Sequence, residues 1–178
     1  MSSYKRLFVL VEGNDDERFF NAVIQPMLQE RYSFITTYKY ASVKKKKVSN
    51  FIRSIRDMQA DYIFLADINN SPCVTNKKEK LQGKYENIDT NKIVIVIKEI
   101  ESWYLAGLGK EACRRLGLSP VRTTENMTKE QFNARIPTRF TSRIDFMIEI
   151  LSAFSAEEAK RKNHSFAYFM RKHVGDAP

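Results

Sequence analysis

Residues 7–20, LFVLVEGNDDERFF, join a short apolar run to a segment crowded with acidic side chains. The run is nearly continuous and rich in β-formers, which is typical of a strand covered on both faces. Beyond the acids, apolar side chains recur every three or four residues from Phe19 to Leu28, and this spacing predicts a helix. A strand that leads directly into a helix is the unit from which parallel sheets are built.

The alternation of strands and helices continues along the chain. Strands are predicted over residues 5–11, 33–40, 61–67 and 92–98. Helices are predicted over 48–58 and, within the polar stretch 70–91, around 77–81. This alternation implies parallel pairing with right-handed crossovers. We therefore predict an α/β domain over residues 1–108, with a mainly parallel four-stranded sheet flanked by helices.

After residue 108 the pattern is helical throughout. A short helix is predicted over 110–116, and Gly117 would end it. Capping boxes at 128–131 and 155–158 each indicate the start of a helix, and apolar stripes run over 144–154 and 166–170. We predict that residues 109–178 form a helical region packed on the α/β domain.

Composition narrows the class of protein. A chain of 178 residues with 43% hydrophobic content suits one ordinary soluble domain with a small appendage. No apolar run approaches the roughly 20 residues of a membrane span, so we expect a cytoplasmic protein without membrane contact. Cys73 and Cys113 stand far apart without a CxxC motif, and we interpret them as plain thiols.

The net charge of +9 favours a polyanionic partner, because basic side chains release counterions from phosphates. The predicted nucleic-acid-binding residues are Lys44, Lys45, Lys46, Lys47 and Arg53, with Arg56 and Lys110 as extensions. The alternative is that this basic run is simply solvated.

Acidic side chains follow three of the four predicted strands: Glu12, then Asp67, then Glu99 and Glu101, with Asp16 one helical turn after Glu12. The carboxyl ends of parallel strands lie at one edge of a sheet, which is where ligands bind. Carboxylates held close together repel unless a cation or a proton lies among them. The sequence therefore predicts a site for a hard divalent ion such as Mg²⁺.

Each of these features also has a structural explanation. The acids at 14–17 could cap the first helix, residues 67–72 could form a turn, and Glu99 and Glu101 could end a solvated strand. Trp103 and Tyr104 could stack on bases, but we favour packing of a helix on a sheet. Both histidines lie late in the chain, in the predicted helical region, so a catalytic site based on histidine is not favoured.

Three segments carry a family resemblance: VLVEGNDDERFF (9–20), IFLADINNSP (63–72) and VIVIKEIESWYLA (94–106). Together they resemble the TOPRIM (topoisomerase-primase) domain, in the variant of OLD-family nucleases and related small prokaryotic proteins. The similarity spans residues 5–108. One motif differs, because Asp67-Ile68-Asn69 has an amide where the family's Asp-x-Asp has its second carboxylate.

The resemblance implies a Mg²⁺ (or Mn²⁺) site whose ligands are Glu12, Asp16, Asp67, Asn69, Glu99 and Glu101. Glu12 and Asp67 would be catalytic, with Glu12 also a candidate general base, and the reaction would be metal-assisted hydrolysis of a phosphodiester. The alternative is a degenerate TOPRIM module that binds nucleic acid or a protein without cutting. The amide of Asn69, in place of the motif's second carboxylate, favours this alternative.

The expected partner is nucleic acid, and the sequence does not distinguish DNA from RNA. The chain has no GxxxxGK[ST] motif, so an accompanying ATPase would be a separate chain. A homodimer is also left open.

Overall fold

A computed structural model describes residues 4–175, in two compact units divided after Ile95. The sheet contains β1 (Arg6–Val11), β2 (Phe34–Lys39), β3 (Asp61–Asp67) and β4 (Ile93–Val96). Its strands are parallel and lie in the order β2-β1-β3-β4, which confirms the predicted α/β fold. The predicted domain boundary at residue 108 stays a prediction.

The two edge strands of the sheet, β2 and β4, differ in burial. The central strands β1 and β3 are mostly buried, β4 is buried throughout, and the edge strand β2 is largely half-exposed. Val11 is paired with Lys39, and Leu10 with Phe64. Because the strands are parallel, this register brings the carboxyl ends of β1, β2 and β3 to the same edge.

Strand β4 is shorter than the predicted 92–98. Before it, a 3₁₀ turn over Thr90–Lys92 is capped by Asp89, whose carboxylate accepts a hydrogen bond from the Asn91 amide at 2.8 Å. After it, Lys98 adopts a positive φ of 66°, which extended backbone cannot have.

The first predicted helix is confirmed as α1 (Asn14–Phe19), a π-helical turn (Phe20–Ile24) and α2 (Gln25–Leu28). The other helices of this unit are α3 (Lys45–Asp57) and α4 (Val74–Lys84). Both begin earlier than predicted. Helix α3 therefore contains Lys45–Lys47 in its first turn, rather than having the four lysines precede it.

The second unit holds α5 (Glu101–Ala106), α6 (Lys110–Leu116), α7 (Lys129–Ala134), α8 (Arg143–Ser152), α9 (Ala156–Lys162) and α10 (His164–Phe169), followed by a π-helical turn (Met170–Val174). Helix α6 ends at Gly117, whose φ of 77° is in the left-handed region. The Thr128 hydroxyl accepts from the Gln131 amide, and the Gln131 side chain accepts from the Thr128 amide, so the first capping box is confirmed.

Trp103 and Tyr104 are fully buried in the core of the second unit. The Trp103 ring lies 5.2 Å from that of Phe166 and 5.5 Å from that of Phe169, both in edge-to-face geometry. Trp103 and Tyr104 are therefore packed in the core, as favoured over base stacking, but the contacts of Trp103 are with helix α10 and not with the sheet that the sequence suggested.

One apolar stripe is placed differently from the prediction. In α8 the buried side chains are Phe146, Met147 and Ile150, whereas Ile144 and Ile148 are 49% and 48% exposed. Apolar residues surround much of this helix, so spacing alone could not decide which face is buried. Among residues 4–175 no helix combines the length and apolarity needed to cross a membrane.

Candidate functional site

The carboxylate of Glu12 is tied to the end of the neighbouring strand. Glu12 directly follows β1, and its Oε1 accepts a hydrogen bond from the Asp67 backbone amide at 3.0 Å. The pair thus forms where two adjacent parallel strands end. Glu12 forms its hydrogen bonds through Oε1 alone, and Oε2 has no hydrogen-bond partner within residues 4–175. The sheet thus places Glu12 beside the backbone of Asp67, and the joint role of the two carboxylates stays a prediction.

Tyr40 lies directly behind this pair. It follows β2, its side chain is buried, and its hydroxyl donates to the Leu65 carbonyl at 2.9 Å while lying 3.3 Å from Glu12 Oε1. Burial, followed by the nearby charge of Glu12, raises the pKa of Tyr40 well above its ordinary value, with smaller contributions from Asp16 and Asp67. The hydroxyl therefore stays protonated, and three carboxylates lie within electrostatic reach of it.

Asp16 and Asn69 are held in their own local structures. The buried Asp16 accepts a hydrogen bond from the Gly13 amide at 3.2 Å, as a cap of α1. Asn69 is exposed, in a turn after β3, with a φ of 50°. Asn is one of the few side chains tolerated in this left-handed conformation. The roles of both residues as metal ligands stay predictions.

Lys77 also lies in this neighbourhood, although no sequence motif pointed to it. It is half-buried in the first turn of α4, where its amide donates to the Cys73 carbonyl at 3.1 Å. Burial lowers the pKa of Lys77, while the charges of Glu12 and Asp67 act in the opposite direction. An ammonium group thus lies within electrostatic reach of both carboxylates.

Glu99 and Glu101 have structural partners within the second unit. Glu99 accepts a hydrogen bond at 2.5 Å from the amide of Lys129, the first residue of α7. Glu101 is 3% exposed and pairs with the Arg143 guanidinium at 2.5 Å. Burial raises the pKa of Glu101, and Arg143 partly opposes this. Their predicted clustering with Glu12 and Asp67 stays a prediction.

The predicted nucleic-acid-binding residues form one exposed group on α3. Lys44 is the N-cap, Lys45–Lys47 occupy the first turn, and Arg53 lies further along the same helix. Cations at a helix N-terminus oppose the helix dipole. The placement therefore lowers the stability of the helix, and it concentrates positive charge at the N-terminus of α3.

No group of three or more His, Cys, Asp or Glu side chains within residues 4–175 is arranged to hold a metal ion. The described carboxylate site is accordingly a pair, Glu12 with Asp67. Mg²⁺ in proteins is commonly held by one or two carboxylates, with water and substrate phosphates completing its shell. The chemistry of the pair fits that mode of binding, and TOPRIM domains generally use divalent metals.

Comparison with protein-family models gives no match, and comparison with curated protein sequences gives none. Among solved structures, the fold is similar to the C-terminal region of the Burkholderia pseudomallei OLD protein, with 14% identity and a TM-score of 0.52 over 97% of this chain and 100% of that one. The C-terminal region of the Xanthomonas campestris pv. campestris OLD protein also matches, with 13% identity and a TM-score of 0.47 over 96% and 95% of the two chains.

The low identities limit this similarity to the fold. Within that limit it agrees with the resemblance carried by the sequence motifs, because the C-terminal region of OLD proteins contains a TOPRIM domain. The chain thus has the α/β fold of the OLD C-terminal TOPRIM region.

Proposed function

We propose that this protein is a metal-dependent nuclease, or a related phosphodiester-processing enzyme, with Glu12 and Asp67 as its catalytic carboxylates. The observation that carries the proposal is the hydrogen bond from the Asp67 amide to Glu12 Oε1, at the carboxyl ends of adjacent parallel strands. This edge is where ligands bind in open α/β sheets.

Residues around the pair have supporting roles in the proposal. Tyr40 and the Asp67 amide hold Glu12 Oε1, and Oε2 would be the oxygen offered to the metal ion. Mg²⁺ or Mn²⁺ at this edge would supply positive charge to the scissile phosphate and lower the pKa of the attacking water. Glu12 would accept a proton from that water, and the exposed lysines Lys44–Lys47 would contact phosphates of the strand.

A second candidate function is binding of nucleic acid or a protein without cleavage. Two observations favour it. Asn69 offers an amide where the family motif has a carboxylate, and its side chain is exposed in a turn. Lys77 already places a positive charge near Glu12 and Asp67, which is the charge that a metal ion would otherwise supply.

The two functions are separated by Asp67→Asn, which keeps the size of the side chain and removes its charge. We expect the variant to lose both calorimetric binding of Mn²⁺ and Mn²⁺-dependent cleavage of plasmid and single-stranded DNA and RNA. The matched control is Asp57→Asn, the same change at an exposed position at the end of α3, which should alter neither property.

Wild-type protein that binds no Mn²⁺ and cuts none of the substrates would contradict the nuclease proposal. If nucleic acid were still bound, the module without cleavage would be the better description. Equal effects of the two substitutions would show that Asp67 has no special role.

A further inference from the structure

The second unit contains a basic cavity that the proposed carboxylate site does not involve. Its volume is about 520 Å³, and it lies between the loop after α6 and the last turn of α9. Four of its lining residues are basic, one is acidic and two are apolar: Lys110, Arg122, Arg161 and Lys162, then Glu158, then Pro120 and Val121. The lining therefore carries three positive charges in excess.

The positive charge of the cavity is not neutralised by its own acid. Glu158 is shared between Arg161 and Lys162, with the Lys162 ammonium at 3.6 Å. Within residues 4–175, Lys110 and Arg122 take part in no ion pair, and both side chains are exposed. Two cations thus remain available to a ligand.

The walls of the cavity are fixed by hydrogen bonds. The Lys162 carbonyl accepts from the Thr124 amide at 3.0 Å and from the Thr123 hydroxyl at 3.2 Å, which ties the loop to the end of α9. The fully buried Asn163 then donates to the Thr124 hydroxyl at 3.1 Å and accepts from the Ser165 hydroxyl at 2.7 Å. These bonds hold the backbone next to Arg122 against the end of α9, so the loop is in place before a ligand binds.

We infer that this cavity binds a phosphate group, of a nucleic acid strand or of a free nucleotide. Guanidinium and ammonium groups are the donors that proteins use for phosphate, and two of them are available at Arg122 and Lys110. The apolar wall of Pro120 and Val121 suits the sugar or base beside such a phosphate. The inference does not depend on metal binding or cleavage by Glu12 and Asp67.

The test is the double substitution Lys110→Ala with Arg122→Ala in the full chain. The matched control is Arg114→Ala with Arg115→Ala, which removes the same charge from exposed positions of α6 that do not line the cavity. Binding of a fluorescent oligothymidylate and of thymidine 5′-monophosphate is measured against salt concentration. EDTA is present throughout, so that metal sites do not contribute.

Each phosphate contact on a single strand contributes about 0.7 to the slope of log K against log salt, so losing two should reduce the slope by about 1.4. This corresponds to roughly 10- to 30-fold weaker oligonucleotide binding near 0.1 M salt. The control should stay within about twofold of wild type, because it loses only diffuse attraction.

Selective loss of oligonucleotide binding alone would identify a phosphate within a strand. Loss of thymidine monophosphate binding, alone or with the oligonucleotide, would identify a terminal or free phosphate. Equal weakening in the cavity variant and the control, or no weakening in either, would overturn the inference. Trp103 fluorescence verifies that the variants are folded, since this side chain is buried in the same unit.

Discussion

Glu12 can be replaced in two ways that separate its charge from its hydrogen bond. In Glu12→Gln the amide oxygen takes the place of Oε1 and still accepts from the Asp67 amide, now 3.0 Å away. In Glu12→Ala that amide loses its acceptor, whereas the Tyr40 hydroxyl keeps the Leu65 carbonyl at 2.9 Å. The two variants therefore differ mainly in one backbone hydrogen bond.

The difference in stability follows from this single bond. Leaving a fully buried donor without an acceptor costs about 1–3 kcal/mol. The hydrogen bond of the Asp67 amide is only partly buried, so Glu12→Ala should be less stable than Glu12→Gln by about 1 kcal/mol, the low end of that range. For a chain of this size, each kcal/mol corresponds to about 2–4 °C in Tm. Glu12→Gln itself should be close to wild type in stability without metal, because relief of repulsion with Asp67 and Asp16 is opposed by loss of attraction to Lys77.

Charge repulsion considered alone would predict that removing Glu12 leaves folding unharmed. The hydrogen bond from the Asp67 amide changes that expectation for Glu12→Ala. Urea unfolding followed by far-UV circular dichroism in EDTA measures the stabilities. Hydrogen exchange of the Asp67 amide should be faster in Glu12→Ala than in Glu12→Gln. Equal stabilities, or equal exchange at Asp67, would refute this account of Glu12.

Two further predictions concern packing and pH. At Gly107 an added Cβ would lie 2.2 Å from the Phe154 ring. Gly107→Ala should therefore lower the free energy of unfolding by about 1–3 kcal/mol in urea titrations. The control Gly83→Ala has open space around it and should raise the free energy of unfolding by up to about 1 kcal/mol. Burial, and then the hydrogen bond to Asp61, raise the pKa of Tyr32 from 10.0 to about 12. The folded state thus holds this proton more tightly than the unfolded state, so the stabilisation is complete below pH 10 and is lost as the pH rises towards 12. The stability difference between wild type and Tyr32→Phe should shrink over that range in urea titrations, and a constant difference would contradict the role of Tyr32.

The order of strands and helices could be predicted because it depends on local pattern. The continuous apolar runs in β1, β3 and β4 are buried on both faces, as such runs usually are in parallel sheets. Parallel pairing then places Glu12 and Asp67 at one edge without any knowledge of side-chain contacts.

Other parts of the site depend on contacts that no local pattern encodes. Lys77 lies within electrostatic reach of Glu12 and Asp67, which the helix predicted around 77–81 did not by itself indicate. The partner of Glu101 is Arg143, which lies 42 residues away along the chain. Burial of Tyr40 behind Glu12 likewise follows from the placement of β2 beside β1.

The acidic residues of the two units differ in how they are balanced, and this bears on both proposals. In the second unit, Glu101 and Glu158 each have a basic partner, while Lys110 and Arg122 have none within the described residues. In the first unit, Glu12 keeps one carboxylate oxygen without a hydrogen bond to any described residue, at the edge of the sheet where ligands bind. Available negative charge therefore suits a cation in the first unit, and available positive charge suits phosphate in the second. The two proposals therefore predict separate losses: cleavage in Asp67→Asn, and strand binding in the Lys110 and Arg122 double variant.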